Sequence, residues 1–222
     1  MIVLSIPDLH FPFEHRDALD FIRDVYKDIK PDEVVCLGDE LDIHAISDHG
    51  SDPNGLSPGD EFEAGMLCMR SLYKIFKGQP IKFCTSNHTS RPFRRAFKAG
   101  IPTQFLRDYR DFLEAPDGCE WRDEWVIDGV LYIHGEGFSG QNGAIKATMS
   151  HRQSVVLGHL HSYGGIIYHK SRNGQIFGLN AGCLIDENKY AFRYGKKMPG
   201  RPTLGCALIE DGVKGHFIPM TK

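Results

Sequence analysis

Nine side chains able to bind metal or move protons fall just after short apolar runs. The run 2–6 is followed by "PDLH", which places Asp8 and His10 one residue apart. The run 33–37 leads into "GDELD", with Asp39 and Asp42. The run 81–85 leads into "SNHTSR", with Asn87, His88 and, four residues after Asn87, Arg91. His134 ends the run 130–134, and "GHLH" puts His159 and His161 after 154–157. Asp, Asn and His without cysteine form a nitrogen/oxygen donor set that suits manganese, iron, zinc or nickel and is too rich in imidazole for calcium. Asp8, His10, Asp39, Asn87, His134, His159 and His161 are more ligands than one tetrahedral zinc uses, and they suit two divalent ions sharing a carboxylate.

The elements that must position these groups follow from periodicity. Strands are expected at 2–6, 33–37 and 81–85, and helices at 15–29, 61–76, 92–98 and 103–113. The segment 48–59, "DHGSDPNGLSPG", reads as a polar loop. Beyond it the pattern turns to short strands at 121–127, 130–134, 154–157, 164–169, 175–179, 203–209 and 213–218, with one helix near 143–149. "EDGV" at 210–213 reads as a hairpin turn. Such alternation predicts an α/β architecture with a partly parallel sheet, in one domain spanning 1–222. Ligands in open α/β sheets gather at strand ends, where all nine side chains lie.

Taken together, the ordered blocks D-x-H, G-D-x-x-D, N-H, H-G and G-H-x-H resemble the calcineurin-like metallophosphoesterases over about two thirds of the chain, residues 8–161. The resemblance implies a β-sandwich of mixed sheets flanked by helices (αββα). It implies that Asp8, His10 and His161 hold one ion, that Asp39 bridges, and that Asn87, His134 and His159 complete the second site. His88 becomes the general acid or phosphate-orienting group, held by Asp42. The implied reaction is direct hydrolysis of a phosphoester by hydroxide.

Two departures stand out. Ser86 replaces the family's glycine and Thr89 its acidic residue, which predicts an altered turn. Ile43-His44 stands where the protein phosphatases carry a phosphate-binding arginine, so Arg91, Arg94 and His44 become the candidate substrate contacts. That absence, with the basic and aromatic segments around Arg91 and 190–201, favours a phosphodiesterase or nuclease acting on nucleotide or nucleic acid. The alternatives are a small-molecule or nucleotide phosphomonoesterase or pyrophosphohydrolase, and a non-catalytic binding module. The remaining histidines (His15, His49, His151, His169, His216) read as surface or satisfied polar groups.

A net charge of −3 excludes a chain that is basic throughout. No apolar run is long enough for a membrane span, and the N-terminus lacks the basic start of a signal peptide. Six scattered cysteines without a Cys-x-x-Cys pair read as reduced core thiols, so a cytoplasmic location is expected.

Overall fold

The computed structural model describes residues 1–48, 54–189 and 200–221. His49, the middle of the 48–59 loop, and most of the second basic and aromatic cluster (Tyr190, Phe192, Arg193, Tyr194, Lys196, Lys197) lie outside them.

Alternation along the first strands sends side chains to two different interiors. Strand β1 (Ile2–Ile6) and strand β2 (Glu33–Cys36) put Leu4, Ile6, Val34 and Cys36 on one face, and Val3 and Val35 on the other. Both faces are buried, so these strands read as continuous apolar runs. They join β3 (Ile81–Cys84) and β4 (Glu120–Arg122) in parallel, and β10 (Gly205–Glu210) and β11 (Lys214–Pro219) antiparallel. The order of this six-stranded sheet is β11-β10-β1-β2-β3-β4. The second, mixed sheet contains β5 (Glu124–Ile127), β6 (Val130–Ile133), β7 (Ser154–Leu157), β8 (Gly164–Ser171) and β9 (Gly174–Ala181), in the order β5-β6-β7-β9-β8.

Val3, Val35, Leu37, Trp125, Tyr132 and Leu179 fill the space between the sheets. Outside the first sheet, α1 (Ala18–Ile29) and α2 (Pro58–Ile75) bury Ile22, Met66, Met69 and Leu72. Outside the second, α5 (Gly143–His151) presses Ala144 and Ala147 against Leu131, Val155 and Leu157. The layers run helix, sheet, sheet, helix, as expected. Between the sheets in sequence lie α3 (Arg91–Lys98) and the single turn α4 (Tyr109–Phe112).

Three expectations need correction. The helix expected over 103–113 is a 3-10 turn (Thr103–Phe105) and then α4, because the Asp108 side chain accepts from the Asp111 N–H and starts a new turn there. The strand expected over 121–127 divides at Asp123, β4 joining the first sheet and β5 the second. The Thr85 hydroxyl donates to Asp123 at 2.6 Å and pins the crossing. Helix α2 starts earlier than expected, at Pro58, because Ser57 caps it and proline is well suited to the first helical turn. The "EDGV" turn is as expected, with Asp211 and Gly212 both at positive φ. Among the described residues no helix is long and apolar enough to cross a membrane.

Candidate metal centre

β1, β2, β3, β6 and β7 all end at one edge of the sandwich, and the loops leaving them deliver the predicted side chains to one place. Four of the seven candidate ligands, Asp8, His10, Asp39 and His159, sit at positive φ, between 28° and 63°. Such backbone costs on the order of 1–3 kcal/mol per residue and persists only where neighbours enforce it. Hydrogen bonds between the loops do so here. The His10 N–H donates to the Asp39 carbonyl at 2.7 Å, and the Asp39 N–H to Ser86 Oγ at 2.8 Å. The His88 N–H donates to Asp39 Oδ1 at 3.1 Å, and the His159 N–H to Asp8 at 2.9 Å. Gly158 allows the last contact, since a Cβ there would lie 2.5 Å from Asp8 Oδ2.

The donor atoms form two groups that share Asp39. Those of Asp8, His10, Asp39 and His161 lie within 4.8 Å of one another, as do those of Asp39, His134 and His159. Asp39 Oδ2 stands 3.3 Å from both His10 Nε2 and His134 Nε2, the position of a bridging carboxylate. Asn87 Oδ1 lies 2.8 Å from His134 Nε2 and so belongs with the second group.

The outer nitrogens fix which ring atoms face inward. His134 Nδ1 is 2.9 Å from the Leu37 carbonyl, and His10 Nδ1 is 3.0 Å from Asp42 Oδ2. A proton on each Nδ1 turns the Nε2 lone pair to the centre, as metal-binding imidazoles require. There His10 Nε2 meets His161 Nε2 at 3.1 Å, and His134 Nε2 meets His159 Nδ1 at 3.1 Å. Lone pairs and carboxylates facing one another at these distances repel unless positive charge lies between them. The donor set therefore fits two divalent cations.

Burial opposes charge on His134, yet the carboxylates of Asp39 and Asp8 push it up to about 9. Asp39 resists the upward push of burial and is held well below the usual carboxylate range by His134, His88 and His10. Burial and the neighbouring His88 lower His10, and burial with His134 lowers His159.

Beside the centre, Asp42, His88 and Arg91 form a compact unit. His88 Nδ1 is 3.0 Å from the Asp42 carbonyl and 3.3 Å from Asp42 Oδ1. Arg91 Nη1 donates to the same carbonyl at 2.6 Å and to Oδ1 at 3.2 Å, while Nη2 lies 3.2 Å from His88 Nε2. Burial lowers His88, but Asp39 and Asp42 outweigh it and raise the ring overall. Asp42 was expected to orient His88. Its carboxylate lies 3.0 Å from His10 Nδ1 and 3.3 Å from His88 Nδ1, so one carboxylate serves both rings. Contacts with His10 and His88 hold it below the usual range despite burial.

The other candidate substrate contacts, Arg94 and His44, make hydrogen bonds to neighbouring backbone and side-chain groups. Arg94 Nη2 donates to the Asn87 carbonyl at 2.5 Å and braces the ligand turn. His44 opens a 3-10 turn (His44–Ile46), its N–H donating to Glu61 at 2.6 Å. Neither belongs to the groups of converging donors. Arg95 donates to the Ile46 and Ser47 carbonyls, and Lys98 pairs with Asp48 at 2.7 Å, so these cations clamp the segment after Asp42. Ser86 and Thr89 were expected to alter the turn after β3. In the structure the Ser86 hydroxyl accepts from Asp39 and, at 3.4 Å, from Thr89. A hydroxyl where a glycine is usual was the available signal. The Leu37 carbonyl that orients His134 left no trace in the sequence.

Two mixed sheets between helices, with five strand ends converging on Asp, Asn and His, give the layered arrangement that the resemblance to the calcineurin-like metallophosphoesterases implies. No family model matches the chain. A sequence relative is the Gene 54 protein of Mycobacterium phage D29, 24% identical over 194 residues, covering 73% of this chain and 69% of that protein. Similar solved structures include Vacuolar Protein Sorting 29 from Cryptosporidium parvum, with a TM-score of 0.48 and 14% identity over 97% of this chain and 94% of that one. Another is the phosphoesterase YfcE from E. coli, with a TM-score of 0.44 and 15% identity over 95% and 88%.

Proposed function

We propose that the chain is a metal-dependent phosphoester hydrolase, with a phosphodiester of nucleotide type as the favoured substrate class. The observation that supports it best is Asp39 Oδ2, equidistant from the inward nitrogens of His10 and His134. Asp8, His10, Asp39 and His161 would hold one divalent ion, and Asp39, Asn87, His134 and His159 a second, with manganese the first choice. When bound, such ions supply positive charge to phosphoryl oxygens and make hydroxide available near neutral pH.

The chain's own groups do the rest. Arg91 presents a planar guanidinium beside His88, suited to two phosphoryl oxygens. A phosphoryl group taking the Arg91 Nη2–H would leave His88 Nε2 open to take up a proton from solvent, which its raised pKa favours, and to pass that proton to the leaving oxygen. Asp42 offsets the charge of Arg91 and keeps His10 and His88 in register.

Support for a nucleic-acid strand is thinner than for a small diester. Arg94, Arg95 and Lys98 are committed to neighbouring loops. The test is manganese-dependent hydrolysis of bis(4-nitrophenyl) phosphate beside 4-nitrophenyl phosphate, with His88→Ala as control. Faster diester turnover that His88→Ala largely abolishes supports the proposal. Faster monoester turnover selects the phosphomonoesterase alternative. Metal binding without turnover of either ester selects the binding module.

A further inference from the structure

A pocket of about 330 Å³ lies between the start of α2, the start of α3, and α4, lined in part by the sequence neighbours of His10, Asp42 and Arg91. Its volume is at the lower end of the range for small-molecule sites. Phe11 and Leu41, both fully buried, form its floor, and Phe62, Phe93 and Phe112 stand around it. Phe11 follows His10, Leu41 and Ile43 flank Asp42, and Pro92 follows Arg91. Phe11 and Leu41 are also bridged in register. The backbone that turns His10 and Asp42 toward the metal centre therefore turns their neighbours into this pocket.

The lining offers little for hydrogen-bond recognition. Glu61 engages its carboxylate oxygens with the His44 and Ala45 N–H groups, at 2.6 and 2.7 Å. Arg107 lies at the exposed rim, and no ion pair to it occurs among the described residues. An apolar, ring-lined hollow with one cation at its mouth suits an aromatic or compact alkyl group that also carries negative charge.

We infer that this pocket receives the organic group on the leaving oxygen of the phosphoester, with Arg107 favouring anionic substrates; the inference rests on the hydrolase reading above. His88, the proton donor to that oxygen, is on the same turn as Arg91 and Pro92. A group attached to the oxygen and directed past Arg91 meets the Pro92 and Phe93 side of the lining. The pocket would then select by size and flatness, and not by base identity.

Calorimetric titration with naphthalene-1-sulfonate and methanesulfonate tests the pocket without requiring turnover. KM and kcat for bis(4-nitrophenyl) phosphate test its place in the reaction. Ala45→Trp fills the pocket from its wall, Ala45→Leu is a milder filler should the larger residue impair folding, and Arg107→Glu reverses the rim charge. The expected result is naphthalenesulfonate binding at least about tenfold tighter than methanesulfonate, with that preference lost on filling. Filling should also raise KM about tenfold at unchanged kcat, and Arg107→Glu should weaken both sulfonates. Equal binding of the two sulfonates, or a KM indifferent to filling, overturns the inference. If the ring binds and filling blocks it, yet neither ester turns over, the pocket stands as a ligand site but its place in hydrolysis falls with the hydrolase reading.

Discussion

Ser86→Ala isolates one hydroxyl that joins two ligand loops. Ser86 is 3% exposed, and its oxygen accepts from the Asp39 N–H at 2.8 Å and the Thr89 N–H at 3.4 Å. Alanine keeps the Cβ and removes only the acceptor. A buried amide left without a partner costs about 1–3 kcal/mol, and the longer second bond adds little, so about 2 kcal/mol is expected. For a chain of this length that lowers Tm by about 4–8 °C. Asp39 also loses the bond that sets its backbone at φ 50°, so manganese affinity should fall about 10- to 100-fold, as when other orienting groups behind metal ligands are removed. Thermal unfolding in EDTA measures the first effect, and calorimetric titration with manganese the second. A Tm within about 1 °C of the parent, together with unchanged affinity, would refute the view that Ser86 holds the bridging loop.

Other groups give further tests. Glu40 is fully buried, and burial pushes it from the ordinary 4.5 up to about 7 despite the Trp121 N–H at 2.9 Å. Its folded form binds the proton more tightly than the unfolded chain, so its ionisation destabilises the fold progressively from pH 4.5 to about 7. Glu40→Gln should therefore gain about 3 kcal/mol relative to the parent at pH 8 and little at pH 4.5, measured by urea unfolding. Asp42→Asn leaves the buried Arg91 without its counter-charge and should cost about 3 kcal/mol, with a fall in kcat of about a hundredfold or more. Because Asp42 is held below its unfolded value, its contribution is present above about pH 4 and is lost as pH falls through the folded value, so the Asn variant should lose that part of the acid sensitivity. With His134 at about 9 in the metal-free protein, manganese must displace its proton. Apparent affinity should rise about tenfold per pH unit from pH 6.5 to about 8.5 and level off above 9, which calorimetry across buffers will show.

Most of the site was legible because its chemistry is local. Asp8, Asp39, Asn87, His134 and His159 each follow an apolar strand directly, so strand ends and ligand types were read together. The layer order was legible only through the resemblance carried by the ordered motif blocks, since the alternation of strands and helices by itself predicted no more than an α/β architecture with a partly parallel sheet. What escaped depends on contacts distant in sequence. The Leu37 carbonyl behind His134 is a backbone atom, and Asp42 facing His10 is a contact across 32 residues. The break at Asp123 was hidden because Trp121, Trp125 and Ile127 keep one strand period across it, with Glu120, Arg122 and Glu124 on the other face, although β4 and β5 belong to different sheets. Arg95 and Lys98 sit at helical spacing that fits a solvated face of α3, and charge alone does not reveal that Asp48 and the Ile46 and Ser47 carbonyls take those cations.

The most direct test of the two-ion centre is the manganese content of the dialysed, saturated protein, measured by mass spectrometry for the parent, Asn87→Ala and Asp39→Asn. The account predicts two ions per chain in the parent, one in Asn87→Ala and severe loss of both in Asp39→Asn. A parent that retains no manganese, or an Asp39→Asn variant that keeps both ions, would contradict it.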